Sequence, residues 1–300
     1  MRIRMDDSPS PSLDRKPFES PMRDVMDASG RWEIKVHDHG LAALVDVMPR
    51  LAPEGKTADF AIVQAARVSY GAGTKQINED RGLVRYLMRH RHTTPMEMVE
   101  FKFHLVCPIF VARQWLRHRT ANVNEYSARY SIVRDRFYMP GEKKVRRQSA
   151  SNRQGGTEPA DPATAAEFCQ WLEEMEQQYP KYQQFIDKGV ARELARIALP
   201  VNVYTEFYWK IDLHNLFHFL SLRMDAHAQE EIRDYAAAIF ELIRPIVPIA
   251  AEAFLDYNIG ALHLTRLEVE SLRSGQPLAS QNKREIEEWE EKRRKLRNAE

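Results

Sequence analysis

"VNVYTEFYWKI", residues 201–211, and "LHNLFHFLSLR", residues 213–223, follow one another along the chain and have different patterns. The first segment is rich in β-branched and aromatic residues, which is typical of a strand. The second segment repeats its apolar residues at helical spacing and so has a strong apolar face. The sequence therefore predicts a strand, the clearest in the chain, that is followed by a helix.

Similar patterns extend outward from this pair in both directions. Two further segments predict strands: "RWEIKVHDHGLAALVDVMPRL" (31–51) and "MVEFKFHLVCPIF" (98–110). Other segments predict helices: "TADFAIVQAARVSY" (57–70) capped by Thr57, "INEDRGLVRYLMRHRHTTP" (77–95) ended by Pro95, "FVARQWLRHR" (110–119), a long helix over 162–188, "VARELARIALP" (190–200) stopped by Pro200, and "AQEEIRDYAAAIFELIRPIV" (228–247). The helices and strands are interleaved without regular βαβ spacing. This order predicts an α+β fold with mixed helices around a small antiparallel sheet.

Composition limits the classes of protein to which the chain can belong. The net charge of +1 argues against a general nucleic-acid binder, and we expect no nucleic-acid partner. Two cysteines, Cys107 and Cys169, argue against a disulfide framework or a cysteine zinc site and fit a reducing cytoplasm. No apolar run is long enough to span a membrane, so we expect no membrane partner.

Three regions are predicted along the chain. Residues 1–30 are short of apolar residues and predict a disordered arm. Residues 31–260 form the main domain, which contains a polar loop at 141–160. Residues 261–300 form a charged helical extension, whose last segment alone would be a solvated helix held by Glu–Lys and Glu–Arg pairs.

"RHRTANVNEYSARY", residues 117–130, is too polar for the core. In an extended backbone Arg117 and Arg119 share a face, "TANVN" suits a turn, and Glu125, Ser127 and Arg129 alternate onto one side. Guanidinium groups present a fork of donors that fits phosphate. The segment therefore predicts a site for a phosphorylated small molecule such as a nucleotide. The alternative is a surface patch of ion pairs.

Two other clusters allow more than one interpretation. His90, His92, Thr93, Thr94 and Glu97 lie at a helix end, where a metal site is one interpretation and cations near a helix C-terminus are the other. The spacing of a metalloenzyme is not evident, so we predict no metal. "LRMDAHAQEEIR" (222–233) contains Arg223, which either reaches inward or is an ordinary arginine at a helix end. No Gly-rich phosphate loop is present, so side chains must hold any nucleotide.

Several segments, in order, resemble the flavin-dependent thymidylate synthases, the ThyX family. They are "AARVSY" (65–70), "HTTPMEMVEF" (92–101), "RQWLRHR" (113–119), "RHRTANVNEYS" (117–127) with the RHR–seven residues–Ser signature, "ARIALP" (195–200), "TEFYWKIDLHNLFHFLSLR" (205–223) and "AHAQEEIR" (226–233). The similarity runs from about Trp32 to about Tyr257. It implies a ThyX-like fold and the reductive methylation of dUMP to dTMP, with methylenetetrahydrofolate as carbon donor and NADPH as reductant through FAD. It also implies a cytoplasmic homotetramer with active sites shared between subunits.

The resemblance also implies which residues of this chain bind the substrate and the cofactor. The dUMP positions are Gln114, Trp115, Leu116, Arg117, Glu125, Tyr126, Ser127, Ala128, Arg129, Arg196 and Arg223. The FAD positions are Ser69, Thr94, Arg117, His118, Arg119, Glu125, Asp212, Leu213, His214 and His218. His92 falls on the folate and nicotinamide side.

The same resemblance makes Arg223 the catalytic residue. A guanidinium is too weak an acid to serve as a base, so Arg223 would stabilise negative charge as it forms on the uracil ring. Cys107 and Cys169 are then packing residues rather than nucleophiles. A non-catalytic nucleotide- or RNA-binding module would explain the arginines but not the flavin positions, and a structural assembly protein would use the C-terminal helix. The yellow colour of a flavoprotein distinguishes the enzyme from both.

Overall fold

A computed structural model describes residues 16–17, 32–68, 80–149 and 155–297. The chain forms two compact units, the first ending at Phe254 and the second beginning at Leu255. The predicted boundary at 260 remains a prediction. Lys16–Pro17 pairs with Leu51–Ala52, and the rest of the predicted disordered arm lies outside the described residues, as does Ser69. Within the described ranges, no helix has both the length and the apolar character needed to cross a membrane.

Strands and helices alternate irregularly along the described residues. The strands are β1 (Lys16–Pro17), β2 (Trp32–Val36), β3 (Gly40–Met48), β4 (Leu51–Ala52), β5 (Glu100–Pro108), β6 (Asn122–Glu125), β7 (Arg146–Gln148), β8 (Gly156–Pro159) and β9 (Tyr204–Asp212). The α-helices are α1 (Asp59–Val68), α2 (Asp80–Arg89), α3 (Ile109–Trp115), α4 (Pro162–Glu176), α5 (Tyr179–Asp187), α6 (Arg192–Ala195), α7 (Leu213–Arg223), α8 (Glu230–Ile243), α9 (Pro248–Phe254), α10 (Arg266–Ser274) and α11 (Lys283–Arg297).

Five strands form the central sheet, in the order β2-β3-β5-β9-β6, with every neighbouring pair antiparallel. One face of β5 and β9 is fully buried, with Phe103 and Trp209 among its residues, and α3, α7 and α8 contribute to the same core. The other face carries polar side chains such as Lys102 and Lys210. The predicted α+β fold with a small antiparallel sheet is confirmed, because side chains alternate across each strand and only one face needs helices to cover it.

Two predicted helix boundaries are wrong. The helix predicted over 162–188 is two helices, because Pro180 lacks the N–H that a continuous helix needs and instead lies in the first turn of α5. The helix predicted to end at Pro95 already ends at Arg89. Arg91 takes a left-handed conformation with φ 58°, and Pro95 lies at the start of the 3-10 helix Thr94–Met98.

The predicted turn "TANVN" is also wrong in its main part. Asn122–Glu125 is an edge strand that pairs with β9, with Glu125 opposite Phe207. The turn comes later, where the Ser127 carbonyl accepts from the backbone N–H groups of Tyr130 and Ser131, both at 3.1 Å. This turn ends the extended segment before Arg129, so the alternation expected for Glu125, Ser127 and Arg129 does not continue to Arg129.

The charged C-terminal segment has a buried anchor. Trp289 of α11 is buried, and its indole N–H donates to Ser271 Oγ of α10 at 3.1 Å. Lys292 Nζ donates to Glu268 Oε1 at 2.9 Å. The prediction of a solvated helix is therefore wrong for the face of α11 that contains Trp289. This single tryptophan, among charged residues, is enough to pack α11 against α10.

The buried carboxylate of Asp59, a residue of α1, caps the start of α9. Its two oxygens accept from the backbone N–H groups of Ile249 and Ala250, both at 3.0 Å, and from the Thr57 hydroxyl at 3.0 Å. The hydroxyl of Thr57, which was expected to cap α1, therefore donates a hydrogen bond to the Asp59 carboxylate. We expect Asp59→Ala to lower the free energy of unfolding by about 3 kcal/mol, because two buried N–H groups lose their acceptors. Urea unfolding followed by circular dichroism measures this loss.

Asp161 provides the matched control for Asp59. It caps α4 by accepting from the Thr164 N–H at 3.0 Å, but it is exposed. Asp161→Ala should cost about 1 kcal/mol, because water replaces the lost carboxylate. Equal losses in the two variants would contradict the importance assigned to burial.

Candidate functional site

Arg223 reaches inward from the last turn of α7. Its Nε donates to His118 Nε2 at 3.0 Å, and its Nη2 donates to the backbone carbonyl of Gln114 at 3.2 Å. Gln114 in turn donates through its side-chain amide to Gln229 Oε1. The end of α3, the end of α7 and the residue before α8 therefore meet at one guanidinium. The alternative of an ordinary helix-end arginine does not apply.

His118 is held neutral in this cluster. Burial, the Arg223 guanidinium and the neighbouring His218 together lower the pKa of His118 to about 4. Because the guanidinium always donates, His118 Nε2 must accept, so the proton of the neutral ring lies on Nδ1. Burial also lowers the pKa of Arg223, although a guanidinium keeps its charge at neutral pH. The pair therefore places one fixed positive charge in a half-buried setting.

A second group lies on β6 and the turn after it. Glu125 Oε1 accepts from the hydroxyl of Thr205 at 2.8 Å, and Thr205 is only 7% exposed. The backbone N–H of Tyr126 donates to the Glu206 carbonyl at 2.8 Å. Glu125, Tyr126 and Ser127 line a cavity of about 540 Å³. The edge strand therefore fixes the Glu125 carboxylate toward a space that a small molecule can enter.

Arg129 and Arg196 meet at a third position, on either side of Glu193. Arg129 Nε lies 3.4 Å from Glu193 Oε2, and Arg196 Nε donates to the Glu193 carbonyl at 3.4 Å. Both arginines are exposed. These contacts are long, and exposed ion pairs contribute little stability. Both guanidinium groups therefore remain available to a phosphate at a small energetic cost.

The predicted flavin residues contain groups that fit a flavin dinucleotide, which has an apolar ring system and a pyrophosphate. Thr94, a predicted FAD position, borders a cavity of about 650 Å³ together with His92, which was predicted for the folate and nicotinamide side; the other lining residues are apolar, with Val68 and Met98 among them. Within the described chain, the exposed guanidinium groups of Arg117 and Arg119 have no acceptor. An apolar wall suits a flavin ring and unpaired guanidinium groups suit a pyrophosphate, so each feature fits one part of FAD.

The start of α7 offers fewer free groups than the resemblance implies. Both carboxylate oxygens of Asp212 accept from Asn215, at 2.9 Å from its backbone N–H and at 2.6 Å from its side-chain amide. The Leu213 side chain is fully buried, and its N–H donates to the Val99 carbonyl at 2.8 Å. His214 is half-buried and His218 is exposed, so these histidines retain polar atoms for a ligand.

Three predicted dUMP positions have side chains that cannot offer polar contacts. Trp115 is fully buried among Phe207, Trp209 and Phe219, so only its main chain remains available. Leu116 follows α3 as its C-cap, and Ala128 is half-buried against a secondary apolar cluster. Their contribution to a nucleotide site is therefore through the backbone or through shape.

The cysteines are placed as the sequence predicts. Cys107 is fully buried in β5, and burial together with the Glu125 carboxylate raises the pKa of its thiol. Cys169 Sγ contacts the Pro140 carbonyl at 3.3 Å, and burial likewise raises its pKa. Because a thiolate is the nucleophilic form, neither residue is suited to attack a uracil ring.

Two residues of the site, Thr205 and Gln229, are not among the predicted site positions. Thr205 belongs to an apolar strand, and its position in the sequence gives no sign that its hydroxyl holds Glu125. Gln229 lies within the segment 222–233, yet nothing in that segment indicates Gln114 as its partner. Only the pairing of β6 with β9 and the packing of α8 beside α3 could reveal them.

Comparisons with known proteins agree with this geometry. The family described as "Thymidylate synthase complementing protein" matches residues 50–249. The chain is 67% identical over 273 residues to a flavin-dependent thymidylate synthase of Dictyostelium discoideum, covering 91% of this chain and 90% of the relative. It is 54% identical over 242 residues to one of Wolbachia pipientis, covering 80% and 82%.

A solved structure has the same fold. The UMP/dUMP methylase PolB of Streptomyces cacaoi, bound with 5-Br UMP, superposes with a TM-score of 0.64 at 33% identity, covering 75% of this chain and 97% of PolB. The sequence match, the similar fold and the arginine site all point in one direction, and the chain belongs to the flavin-dependent thymidylate synthases.

Proposed function

We propose how the described residues divide the work of the family reaction, the reductive methylation of dUMP to dTMP. When bound, FAD supplies reducing equivalents that it takes from NADPH, while methylenetetrahydrofolate supplies the carbon. The protein itself must bind the nucleotide and polarise the uracil ring without attack on that ring by a cysteine. The observation that carries the proposal is the half-buried guanidinium of Arg223, which His118 and the Gln114 carbonyl hold in place.

Arg223 is assigned the polarisation of uracil. A guanidinium has five N–H donors, and the two contacts to His118 and Gln114 use two of them. The remaining donors can face a ring that loses the proton of its nitrogen 3. A fixed positive charge in a partly dehydrated site stabilises the resulting anion strongly. His118, neutral and accepting, orients the guanidinium without adding a second charge.

The phosphate of dUMP is assigned to Arg129 and Arg196. Both are exposed and only loosely held by Glu193. A phosphate can replace those weak contacts with bidentate, charge-assisted hydrogen bonds. Glu125, held by Thr205, then accepts from an N–H or O–H group of the nucleotide.

Four chains are proposed to assemble with shared sites. The segment around Arg196 exposes large apolar side chains, with Leu194 58%, Ile197 75% and Val201 62% exposed. A cluster of this kind favours burial against another protein surface. A neighbouring subunit on this surface would bring its own side chains close to Arg196.

Two free cysteines support a cytoplasmic location.

The role of Thr205 gives a testable prediction. Thr205→Val keeps the β-branched shape but removes the hydroxyl that fixes Glu125. We expect the KM for dUMP to rise about tenfold, the usual consequence of losing a hydrogen bond to a charged group, with the fold unchanged. Thr205→Ser retains the hydroxyl and should remain near the wild type. If Val and Ser variants have the same KM, Thr205 does not position Glu125.

The reaction itself is tested by product analysis. Purified protein is incubated with dUMP, methylenetetrahydrofolate, NADPH and FAD, and each component is then omitted in turn. We expect the protein to be yellow with bound flavin, and we expect no dTMP when dUMP, methylenetetrahydrofolate or NADPH is omitted, or when protein freed of flavin is assayed without FAD. Formation of dTMP without flavin, or its absence from the complete mixture, would contradict the proposal.

A further inference from the structure

The hairpin β7–β8 and the start of α8 enclose a cavity of about 1,100 Å³ that the site assignments do not use. Close approach of the two strands requires Gly156, since a Cβ there would lie 2.1 Å from Arg146 Cβ. Lys144 Nζ lies 3.1 Å from Glu230 Oε1, and Arg146 Nη2 lies 4.0 Å from Glu230 Oε2. The hairpin is therefore fixed to α8 by two cations that share one carboxylate.

The wall of this cavity carries four cations, Lys144, Arg146, Arg147 and Arg233, against three carboxylates, Asp161, Glu230 and Glu231, which leaves a formal excess of one positive charge. Arg233 donates to the Ala226 carbonyl at 3.0 Å, which neutralises none of its charge. The guanidinium of Arg147 is exposed and has no acceptor in the part of the chain that the structure describes. Glu230 is already shared between Lys144 and Arg146, and the hydrogen bond from Lys144 is the main cause that lowers its pKa.

The other two acids of the wall keep their negative charges, and each accepts a hydrogen bond from a neutral donor rather than from a cation of the wall. Asp161 accepts from the Thr164 N–H at 3.0 Å. Glu231 accepts from the Tyr138 hydroxyl at 3.1 Å. Among the described residues, Arg147 and Arg233 are the two cations of the wall that make no salt bridge to a carboxylate, although the charge of Arg233 also contributes to lowering the pKa of Glu230.

The cavity adjoins the cluster around Arg223. Gln229 is one of its lining residues, and its side-chain carbonyl accepts from the amide of Gln114. The Gln114 backbone carbonyl accepts from Arg223 at 3.2 Å. Two hydrogen bonds therefore separate the cavity wall from the guanidinium assigned to uracil. The cavity therefore lies close to the position at which a co-substrate would react.

We propose that this cavity binds the anionic end of a co-substrate through Arg147 and Arg233. The ligand chemistry is an oxyanion, supplied either by the carboxylates of a folate glutamate tail or by the phosphates of the nicotinamide dinucleotide. The inference rests on the proposed function, which assigns the dUMP phosphate to Arg129 and Arg196 and leaves the anions of the co-substrates without partners. Planar guanidinium forks suit both kinds of oxyanion.

Steady-state kinetics of Arg147→Gln, Arg233→Gln and the double variant test the proposal. We expect each substitution to raise the KM for one co-substrate about tenfold, as for one lost charge-assisted hydrogen bond, with kcat and the KM for dUMP unchanged. Arg147→Lys should regain part of the affinity. Arg244→Gln removes an exposed arginine paired with Glu241 at 3.4 Å and serves as the control.

Two comparisons identify which anion is bound. If the 2′-phosphate of NADPH occupies the cavity, the variants lose the preference of the wild type for NADPH over NADH, whereas binding of the pyrophosphate would raise the KM for both dinucleotides. If the folate tail occupies it, they lose the preference for triglutamyl over monoglutamyl methylenetetrahydrofolate. Unchanged KM values for both co-substrates, or a rise confined to dUMP, would overturn the proposal. Failure of the proposed function is separate, because it would appear as absence of dTMP with the wild type.

Discussion

Arg223→Lys is expected to lower kcat by about 10²–10³-fold while dUMP still binds. Lysine keeps one positive charge but lacks the planar guanidinium fork. Only that fork can contact both His118 and the Gln114 carbonyl while it directs further donors at the uracil ring. Negative charge on uracil would then form without an aligned donor. Single-turnover assays with saturating dUMP measure the effect on chemistry apart from binding.

Arg244→Lys makes the same substitution at an exposed arginine and should leave kcat unchanged. A second measurement follows the ring beside Arg223. In Arg223→Ala the neighbouring cation is gone, so the pKa of His118 should rise from about 4 toward the usual histidine range, while burial still holds it below that range. Histidine proton resonances followed by NMR report this titration. Near-normal turnover of Arg223→Lys would remove the assigned role.

Mixing two inactive variants is expected to restore activity if subunits share their sites. Arg129→Ala and Arg223→Ala each remove one essential group. When the two proteins are unfolded and refolded together in equal amounts, about a quarter of the sites should combine an intact group from each chain, if assembly is random. The exposed apolar side chains near Arg196 are the surface that we propose for such assembly.

Each variant refolded alone is the control and should remain inactive. Light scattering of the wild type should give a mass about four times 35.0 kDa, as expected for a closed homotetramer. A tetramer without recovered activity would mean that Arg129 and Arg223 serve the same site from one chain. A monomer would remove the shared-site proposal altogether, while the separate roles of Arg129 and Arg223 could stand.

Local patterns in the sequence determined most of the architecture. β9, Tyr204–Asp212, lies within three residues of the segment that predicted it, and α7, Leu213–Arg223, has the predicted bounds at both ends. The strand predicted over 98–110 is β5, Glu100–Pro108. These predictions succeed because alternation and helical spacing reflect which face of an element is buried, and each is contained within about ten residues.

Elements that depend on partners could not be predicted in this way. Asn122–Glu125 is polar and exposed, yet it forms a strand because the edge of β9 offers backbone groups that need hydrogen-bonding partners. The tryptophan in α11 is buried only because α10 supplies a surface and an acceptor, Ser271. In both cases the partner comes from another part of the chain.

The same contrast between local pattern and distant partners applies to the candidate site. The sequence determined the types of its residues, since the spacing of Arg117, Ser127 and Arg223 within recognisable segments carries the family resemblance. Only the tertiary structure decided their neighbours: Thr205 is 80 residues from Glu125, and Gln229 is 115 residues from Gln114. The physical reason is that periodicity is a property of the local backbone, whereas a hydrogen bond between distant side chains exists only after strands pair and helices pack.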